Sequence, residues 1–243
     1  MGANATTFVP SYTAGEVLTA SNLSVTNSGI PVFATTTTRD AAFGGTGEKT
    51  LAEGQFAYIE ATDTTQYYNG SAWVSVGVAG LTYITQATPS GVSTVSINNC
   101  FSSTYENYLV LFSPSAITAA SATQVSIRLR VSGTDSSTNY SSIRLYADNG
   151  TVSSLSNPSG SDEWVFVYGN TTYGANSSVS AQIFKPFSAT PTAYLSTQFI
   201  HDATPFTTIT NGSNTATTSY DGFTVFSTAT FSGTIRVYGY ANS

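Results

Sequence analysis

Short segments in which every second residue is apolar recur along much of the chain. The clearest is VSIRLRV at residues 125–131, where Arg128 and Arg130 fall between apolar residues. Because successive side chains of a strand point to opposite faces, this segment predicts a strand with an apolar inner face and both arginines facing outward. The segment IRVYGY at residues 235–240 alternates in the same way.

The region from residue 81 to residue 243 is predicted to be one all-β domain. The number and spacing of its candidate strands favour a jelly-roll-like β-sandwich made of two sheets. Pro114 and Pro186 are expected at strand ends, because proline cannot donate to a ladder. The candidate strands are residues 94–97, 108–112, 125–131, 142–146, 164–168, 178–184, 193–199, 222–226 and 234–240.

A small β unit is predicted for residues 35–80, with a three-stranded meander over residues 50–78. Asn69-Gly70 suits a type I′ turn, since both residues tolerate positive φ, and this register places Tyr67 and Trp73 on opposite faces. That separation disfavours a single sugar-binding platform. About thirty residues are too few for a stable isolated sheet, so the unit is predicted to assemble with copies of itself. The residues assigned to oligomerisation are Phe56, Tyr58, Tyr67, Tyr68 and Trp73.

Residues 1–34 have isolated apolar residues and no periodic face, which predicts an extended arm that becomes ordered on another subunit or protein. A disordered tail is the alternative. Helical signals are confined to residues 37–43 and 14–23, the latter with Thr13 as a candidate cap and Glu16 three residues later. The apolar residues assigned to anchoring are Phe8, Val9, Pro10, Tyr12, Val17 and Leu18.

Charge is scarce in this chain. Charged residues make up 8% of it and the net charge is −6, whereas a typical soluble domain has about 25% charged residues. No basic cluster exists, which argues against a nucleic-acid partner or an anionic membrane surface. No apolar stretch approaches the roughly 18 residues of a membrane span, and no secretory signal is visible, so we expect assembly in a cytoplasm without membrane insertion. Cys100 is the only cysteine, so no internal disulfide is possible.

Candidate catalytic chemistry is weak. His201-Asp202 contains the only histidine, and no G-x-S-x-G elbow accompanies it. Asp162-Glu163 invites a glycosidase interpretation, but adjacent strand residues point to opposite faces, so a partner such as Asp148 or Asp221 would be needed. No clustered metal ligands are present. The prediction is a non-enzymatic protein without catalytic residues, metal or cofactor.

The small β unit resembles a module that is common in structural proteins of tailed bacteriophages. The resemblance is carried by TRDAAF at residues 38–43, LAEGQFAYIE at residues 51–60 and TTQYYNGSAW at residues 64–73. That module recurs in tail fibres, minor tail proteins and head-attached fibres. The later region is similar to the C-terminal domain of many of these proteins through FSSTYENYLVL, SIRLR, NYSSIRLY and IRVYGY.

The resemblance implies a homotrimer that is assembled in the host cytoplasm and resides in the virion. A short tail fibre or adhesin, anchored by its N-terminus to other virion proteins of the tail, baseplate or capsid, is the first expectation. A head fibre or capsid decoration protein is the alternative, and a glycan-degrading enzyme is the alternative from another class.

Two tyrosine- and asparagine-containing loops are predicted, at residues 168–176 and 204–220. Tyrosine-rich loops offer contact area at low entropic cost, so these are candidate contacts for a host surface glycan. Solvated hairpin tips are the alternative interpretation. The residues assigned to receptor contact are Tyr168, Asn170, Tyr173, Asn211 and Tyr220.

Overall fold

The computed structural model describes residues 9–17, 19–21, 29–46, 48–77, 80–148, 150–200 and 206–241. The chain forms two compact units, Met1–Val78 and Ala79–Ser243. Of the described residues, 56% lie in strands and 6% in helices, which confirms the all-β prediction.

The N-terminal unit is a four-stranded sheet in the order β1-β2-β3-β4. Strands β2 to β4 form the predicted antiparallel meander, and β1 adds a parallel strand beside β2. Helix α1 begins after Thr35, whose Oγ1 accepts from the Thr38 backbone N–H at 3.2 Å while the Thr38 hydroxyl accepts from the Thr35 N–H. The elements are β1 (Val32–Phe33), α1 (Thr36–Asp40), β2 (Phe56–Ile59), a 3-10 turn (Glu60–Thr62), β3 (Thr64–Tyr68) and β4 (Trp73–Ser75).

The turn between β3 and β4 differs from the prediction. It is centred on Gly70-Ser71, and only Gly70 of the two predicted turn residues has positive φ, at +92°. The reason is the Asn69 side chain, whose Oδ1 accepts from the backbone N–H groups of Ser71 at 3.0 Å and Ala72 at 2.8 Å. Tyr68 therefore pairs with Trp73. This register is shifted by two positions, so Tyr67 and Trp73 remain on opposite faces as predicted.

The described part of the predicted arm contributes to the N-terminal unit itself. Val9 is 2% exposed, and its backbone donates to Ala42 and accepts from Lys49, at 3.1 and 2.8 Å. Pro10 bridges to Glu48. The expectation that all of residues 1–34 needs another protein to become ordered is therefore wrong for these residues and for β1. Backbone pairing supplies the order, and it leaves no mark in side-chain periodicity. The small core contains Val9, Phe33, Ala42, Ala57 and Ile59.

The C-terminal unit is a twelve-stranded sheet in the order β11-β10-β15-β14-β13-β7-β16-β8-β12, with β5 and β6 on β16 and β9 on β8. Its strands are β5 (Leu81–Ala87), β6 (Val92–Ile97), β7 (Asn107–Ile117), β8 (Thr123–Val131), β9 (Thr134–Asp135), β10 (Tyr140–Asp148), β11 (Thr151–Ser161), β12 (Trp164–Gly169), β13 (Ser177–Phe184), β14 (Thr192–Ile200), β15 (Phe206–Asn214) and β16 (Gly222–Tyr240).

The sheet curls over so that its end strand β12 packs on β14. Trp164 stacks on Tyr194 with ring centroids 4.7 Å apart, and the Tyr194 hydroxyl donates to the Val165 carbonyl at 3.1 Å. The result is sandwich-like, although one continuous sheet provides both layers. The nineteen-residue strand β16 makes this possible: its first half pairs with β6 and β8, and its second half pairs with β5 and β7.

Several local predictions for this unit are wrong. Residues 222–226 and 234–240 are one strand rather than two, and residues 206–214 of the predicted loop 204–220 form β15. Pro114 lies inside β7, where a register shift opposite Gly233 accommodates it. Arg130 does not face solvent: it is 8% exposed, because it donates to Thr224 and Gly133 and pairs with Asp135.

Candidate functional site

The N-terminal sheet has one open face rich in aromatic residues. The pairing Phe56↔Tyr67↔Val74 places these three side chains on the same face, and Tyr58 lies two residues along from Phe56. Phe56 is 43% exposed, and its ring lies 6.3 Å from that of Tyr67. Ala57 and Ile59, on the opposite face, are fully buried. One face of this sheet therefore packs on the unit's own core, and the other has no cover from the described residues of its unit.

The other two predicted oligomerisation residues lie on the covered face. The rings of Tyr68 and Trp73 are 5.7 Å apart, and Trp73 also contacts Phe43 at 5.8 Å. The Arg39 guanidinium lies 4.7 Å from the Trp73 ring and donates to the Gln66 side chain. The five predicted residues therefore divide into an open set, Phe56, Tyr58 and Tyr67, and a packed set, Tyr68 and Trp73.

Of the predicted anchoring residues, Val9 and Pro10 are buried within their own unit. Tyr12 and Val17 are exposed, at 39% and 86%. Phe8 and Leu18 lie outside the described residues.

The predicted receptor contacts are also divided. Tyr168 and Tyr173 are half-buried and line a pocket of about 110 Å³ together with Asp148 and Phe206. The Asn170 side chain is occupied in the turn itself, where it accepts from the N–H groups of Thr172 and Tyr173 at 2.9 and 3.0 Å.

Asn211 and Tyr220 lie elsewhere. Asn211 is exposed, but on strand β15 rather than in a loop. Tyr220 is 1% exposed, and its hydroxyl contacts Asn214 Oδ1 at 3.2 Å and Ser136 Oγ at 3.3 Å. The assignment of Tyr220 to receptor contact is therefore wrong. Although Tyr220 lies at the end of a polar segment, its side chain packs into the hydrophobic core.

Arg144, beside Tyr168, is a residue that the sequence did not single out. It is 8% exposed, and its Nε and Nη1 are buried without a hydrogen-bond partner. The guanidinium carbon lies 4.8 Å from the Tyr168 ring centroid and 5.5 Å from that of Tyr146. Burial lowers the pKa of Arg144. The alternation in NYSSIRLY places Arg144 on one face of strand β10. It does not show whether that face points into the sandwich.

The adjacent carboxylates Asp162 and Glu163 are partners of one arginine. Arg128 forms an ion pair with Asp162 and lies 3.6 Å from Glu163, which also accepts from Ser126 Oγ at 2.8 Å. Asp221 accepts from the Ser132 N–H at 2.8 Å. This arrangement is an ion-pair cluster rather than two carboxyl groups facing a common cleft. His201-Asp202 lies outside the described residues.

Compared with models of known protein families, with curated proteins and with solved structures, the chain matches none. Within the part of the chain that the structure describes, no helix is long and apolar enough to cross a membrane. Among the same residues, no three His, Cys, Asp or Glu side chains form a group that could hold a metal ion.

Proposed function

We propose that this chain is a non-enzymatic bacteriophage virion structural protein, a short trimeric tail fibre or adhesin that displays its C-terminal sandwich to the host surface. The observation that supports the proposal most directly is the open aromatic face of Phe56, Tyr58, Tyr67 and Val74. Phe56, Tyr58 and Tyr67 also belong to the segments that resemble the bacteriophage module, so the sequence and the geometry favour the same surface.

An open aromatic face on so small a sheet favours self-assembly for a physical reason. Phe and Tyr bury about 150–250 Å² each and dominate interface energetics, and Tyr is enriched at interfaces. The side chains of Phe56, Tyr58, Tyr67 and Val74 are neutral, and the Asp63 carboxylate, which accepts from the Tyr58 hydroxyl, is a charged group beside this face. In the proposed trimer, three copies of this face meet around one axis, and exposed arm residues such as Tyr12 and Val17 attach the protein to the particle.

Two measurements test the proposal. Light scattering of the purified chain is expected to give about three times its mass of 25.4 kDa; a monomer at all concentrations would refute the trimer. Bacteriophage particles assembled with the wild-type protein are expected to contain this chain. Its density in an image of the intact particle is expected at the tail; density at the head would support the alternative, a head fibre or capsid decoration protein. Paired substitution of Tyr12 and Val17 by serine is expected to reduce incorporation without disturbing the buried Val9.

A further inference from the structure

The C-terminal unit contains two arginines of equal burial and different surroundings. Arg130 and Arg144 are each 8% exposed. Arg130 has a carboxylate partner, since Nη1 lies 3.2 Å from Asp135 Oδ1 and 2.6 Å from Thr224 Oγ1, and Nη2 donates to the Gly133 carbonyl; only its Nε has no partner. Arg144 has no ion pair or hydrogen bond with any residue that the structure describes, and two of its nitrogens are buried. A buried charge destabilises a protein unless it is paired. The surroundings of Arg144 would therefore favour the binding of an anion.

Aromatic and polar side chains surround this guanidinium. Tyr146 and Tyr168 lie against it, and Phe206 lies 6.1 and 6.5 Å from these two rings. Thr210, the cross-strand neighbour of Arg144, is 1% exposed, and Thr208 is 4% exposed. The rings and hydroxyls leave the positive charge uncompensated, because none of these groups carries a negative charge.

Tyr168 connects Arg144 to the neighbouring pocket. Its ring lies against the guanidinium, and the same residue lines the pocket with Tyr173, Phe206 and the exposed Asp148. Arg144 is not itself a lining residue, so Tyr168 is the contact between the guanidinium and the pocket. Aromatic rings with a few polar groups at one edge are a surface on which a pyranose ring can stack. Nε and Nη1 are buried, so a ligand carboxylate would meet the guanidinium at Nη2, which shares an edge with each of them.

We propose that Arg144, Tyr168 and Phe206 form a binding site for an acidic saccharide, whose carboxylate pairs with Arg144 and whose ring packs on the aromatic residues. Asp148 accepts hydrogen bonds from sugar hydroxyls. The inference rests on the proposed host-surface role, because an acidic polysaccharide is the ligand that such a protein would meet outside the cell.

The test uses the full chain and three small probes: methyl glucuronide, its uncharged methyl ester, and acetate. Ligand-observed NMR titration is expected to show binding of the glucuronide that is at least tenfold tighter than binding of either other probe, as expected for a charged hydrogen-bonded pair. Arg144→Met is expected to weaken glucuronide binding at least tenfold, and Tyr168→Ala several-fold. Arg236→Met, on β16, is the matched control and is expected to bind as wild type does.

The possible outcomes test the saccharide, its carboxylate and the proposed assembly separately. Equal binding of acetate and glucuronide would refute the saccharide, and equal binding of the ester would refute the role of the carboxylate. Absence of glucuronide binding to a folded wild-type chain would overturn the inference outright. If Arg144→Met unfolds, Tyr168→Ala still tests the site. A trimer that binds no glucuronide refutes only this inference, whereas a monomer that binds glucuronide refutes only the proposed assembly.

Discussion

Replacing Phe56 by serine removes apolar area from the centre of the proposed trimer interface while leaving the fold of the subunit intact. Phe56 is 43% exposed, and about 200 Å² for a Phe side chain gives about 85 Å² available to a partner. At roughly 25 cal/mol/Å² this corresponds to about 2 kcal/mol for each of the three subunits, or about 6 kcal/mol over the two association steps of a trimer. Each step is therefore weakened by about 3 kcal/mol, which is about 150-fold.

Trp73→Ala is the matched contrast, because Trp73 lies on the covered face of the same sheet. Its ring packs on Phe43 and Tyr68 and under Arg39, so its loss is expected to destabilise the N-terminal unit by about 3 kcal/mol or more. At concentrations too low for either protein to form the trimer, Phe56→Ser is instead expected to leave the unfolding midpoint within a degree or two of that of wild type, as is usual for surface substitutions. At higher concentrations the weaker trimer lowers the midpoint by mass action.

The assay for both variants is sedimentation velocity over about a thousandfold range of concentration, with thermal unfolding followed by circular dichroism. Phe56→Ser is expected to move the trimer-to-monomer midpoint to higher concentration by about the 150-fold estimated above. An unchanged midpoint would refute the assignment of the aromatic face to assembly. A large loss of thermal stability in monomeric Phe56→Ser, compared with monomeric wild type, would instead mean that this face is packed within the subunit.

Three further predictions concern the C-terminal unit. Trp164→Phe loses the Nε1 hydrogen bond to Ser213 and part of a fully buried ring, so urea unfolding is expected to show a loss of about 2–3 kcal/mol. Arg130→Met leaves Asp135 without its partner and is expected to cost about 3 kcal/mol, whereas Arg144→Met is expected to be neutral or stabilising in the same assay. Burial raises the pKa values of the Cys100 thiol and the Tyr194 hydroxyl, so the folded state holds these protons more tightly and its free energy of unfolding is expected to fall as pH rises above about 8.5.

The strands that the sequence predicted well are those with one apolar face inside. In β8 the residues Val125, Ile127 and Leu129 are fully buried, and β13 buries Val179, Ala181 and Ile183 in the same alternation. In these strands the burial of every second residue is the main stabilising interaction, and the same period of two can be recognised in the amino-acid sequence. The existence of these strands was therefore predictable, although their ends were not.

Two of the strands that were missed, β11 and β15, lack that pattern. Strand β11 reads TVSSLSNPSGS and lies at the edge of the sheet, with Val152 and Leu155 exposed at 74% and 51%. Strand β15 reads FTTITNGSN, and its composition is typical of a loop. Both strands are held by backbone pairing with β10, which does not depend on apolar alternation within the segment itself. For β15 this partner is distant in the chain, whereas β11 directly follows β10 and pairs with it as a hairpin in which Asp148 lies opposite Thr151.

The candidate site was only partly predictable for a related reason. Tyr168 and Tyr173 were found because aromatic residues beside Gly and Asn suggest a binding loop. Arg144 was not, because its importance depends on what the fold places next to it: two rings and no carboxylate. Arg130, which is also an arginine on a strand, pairs with Asp135 of β9. Distinguishing these two arginines requires the strand order, which no local pattern contains.

The β10–β15 part of the sheet has its polarity inverted, and this bears on why Arg144 is retained. Leu145 and Ile209 pair on the outer face and are 47% and 43% exposed, while Arg144 and Thr210 pair on the inner face and are buried. Selection for stability alone would favour the opposite arrangement, because apolar burial is favourable and buried polar groups must be satisfied. Replacing the inner arginine with an apolar residue would relieve an unpaired charge. The contacts with the Tyr146 and Tyr168 rings stabilise the guanidinium but supply no negative charge, and the carboxylate of the proposed saccharide would supply it.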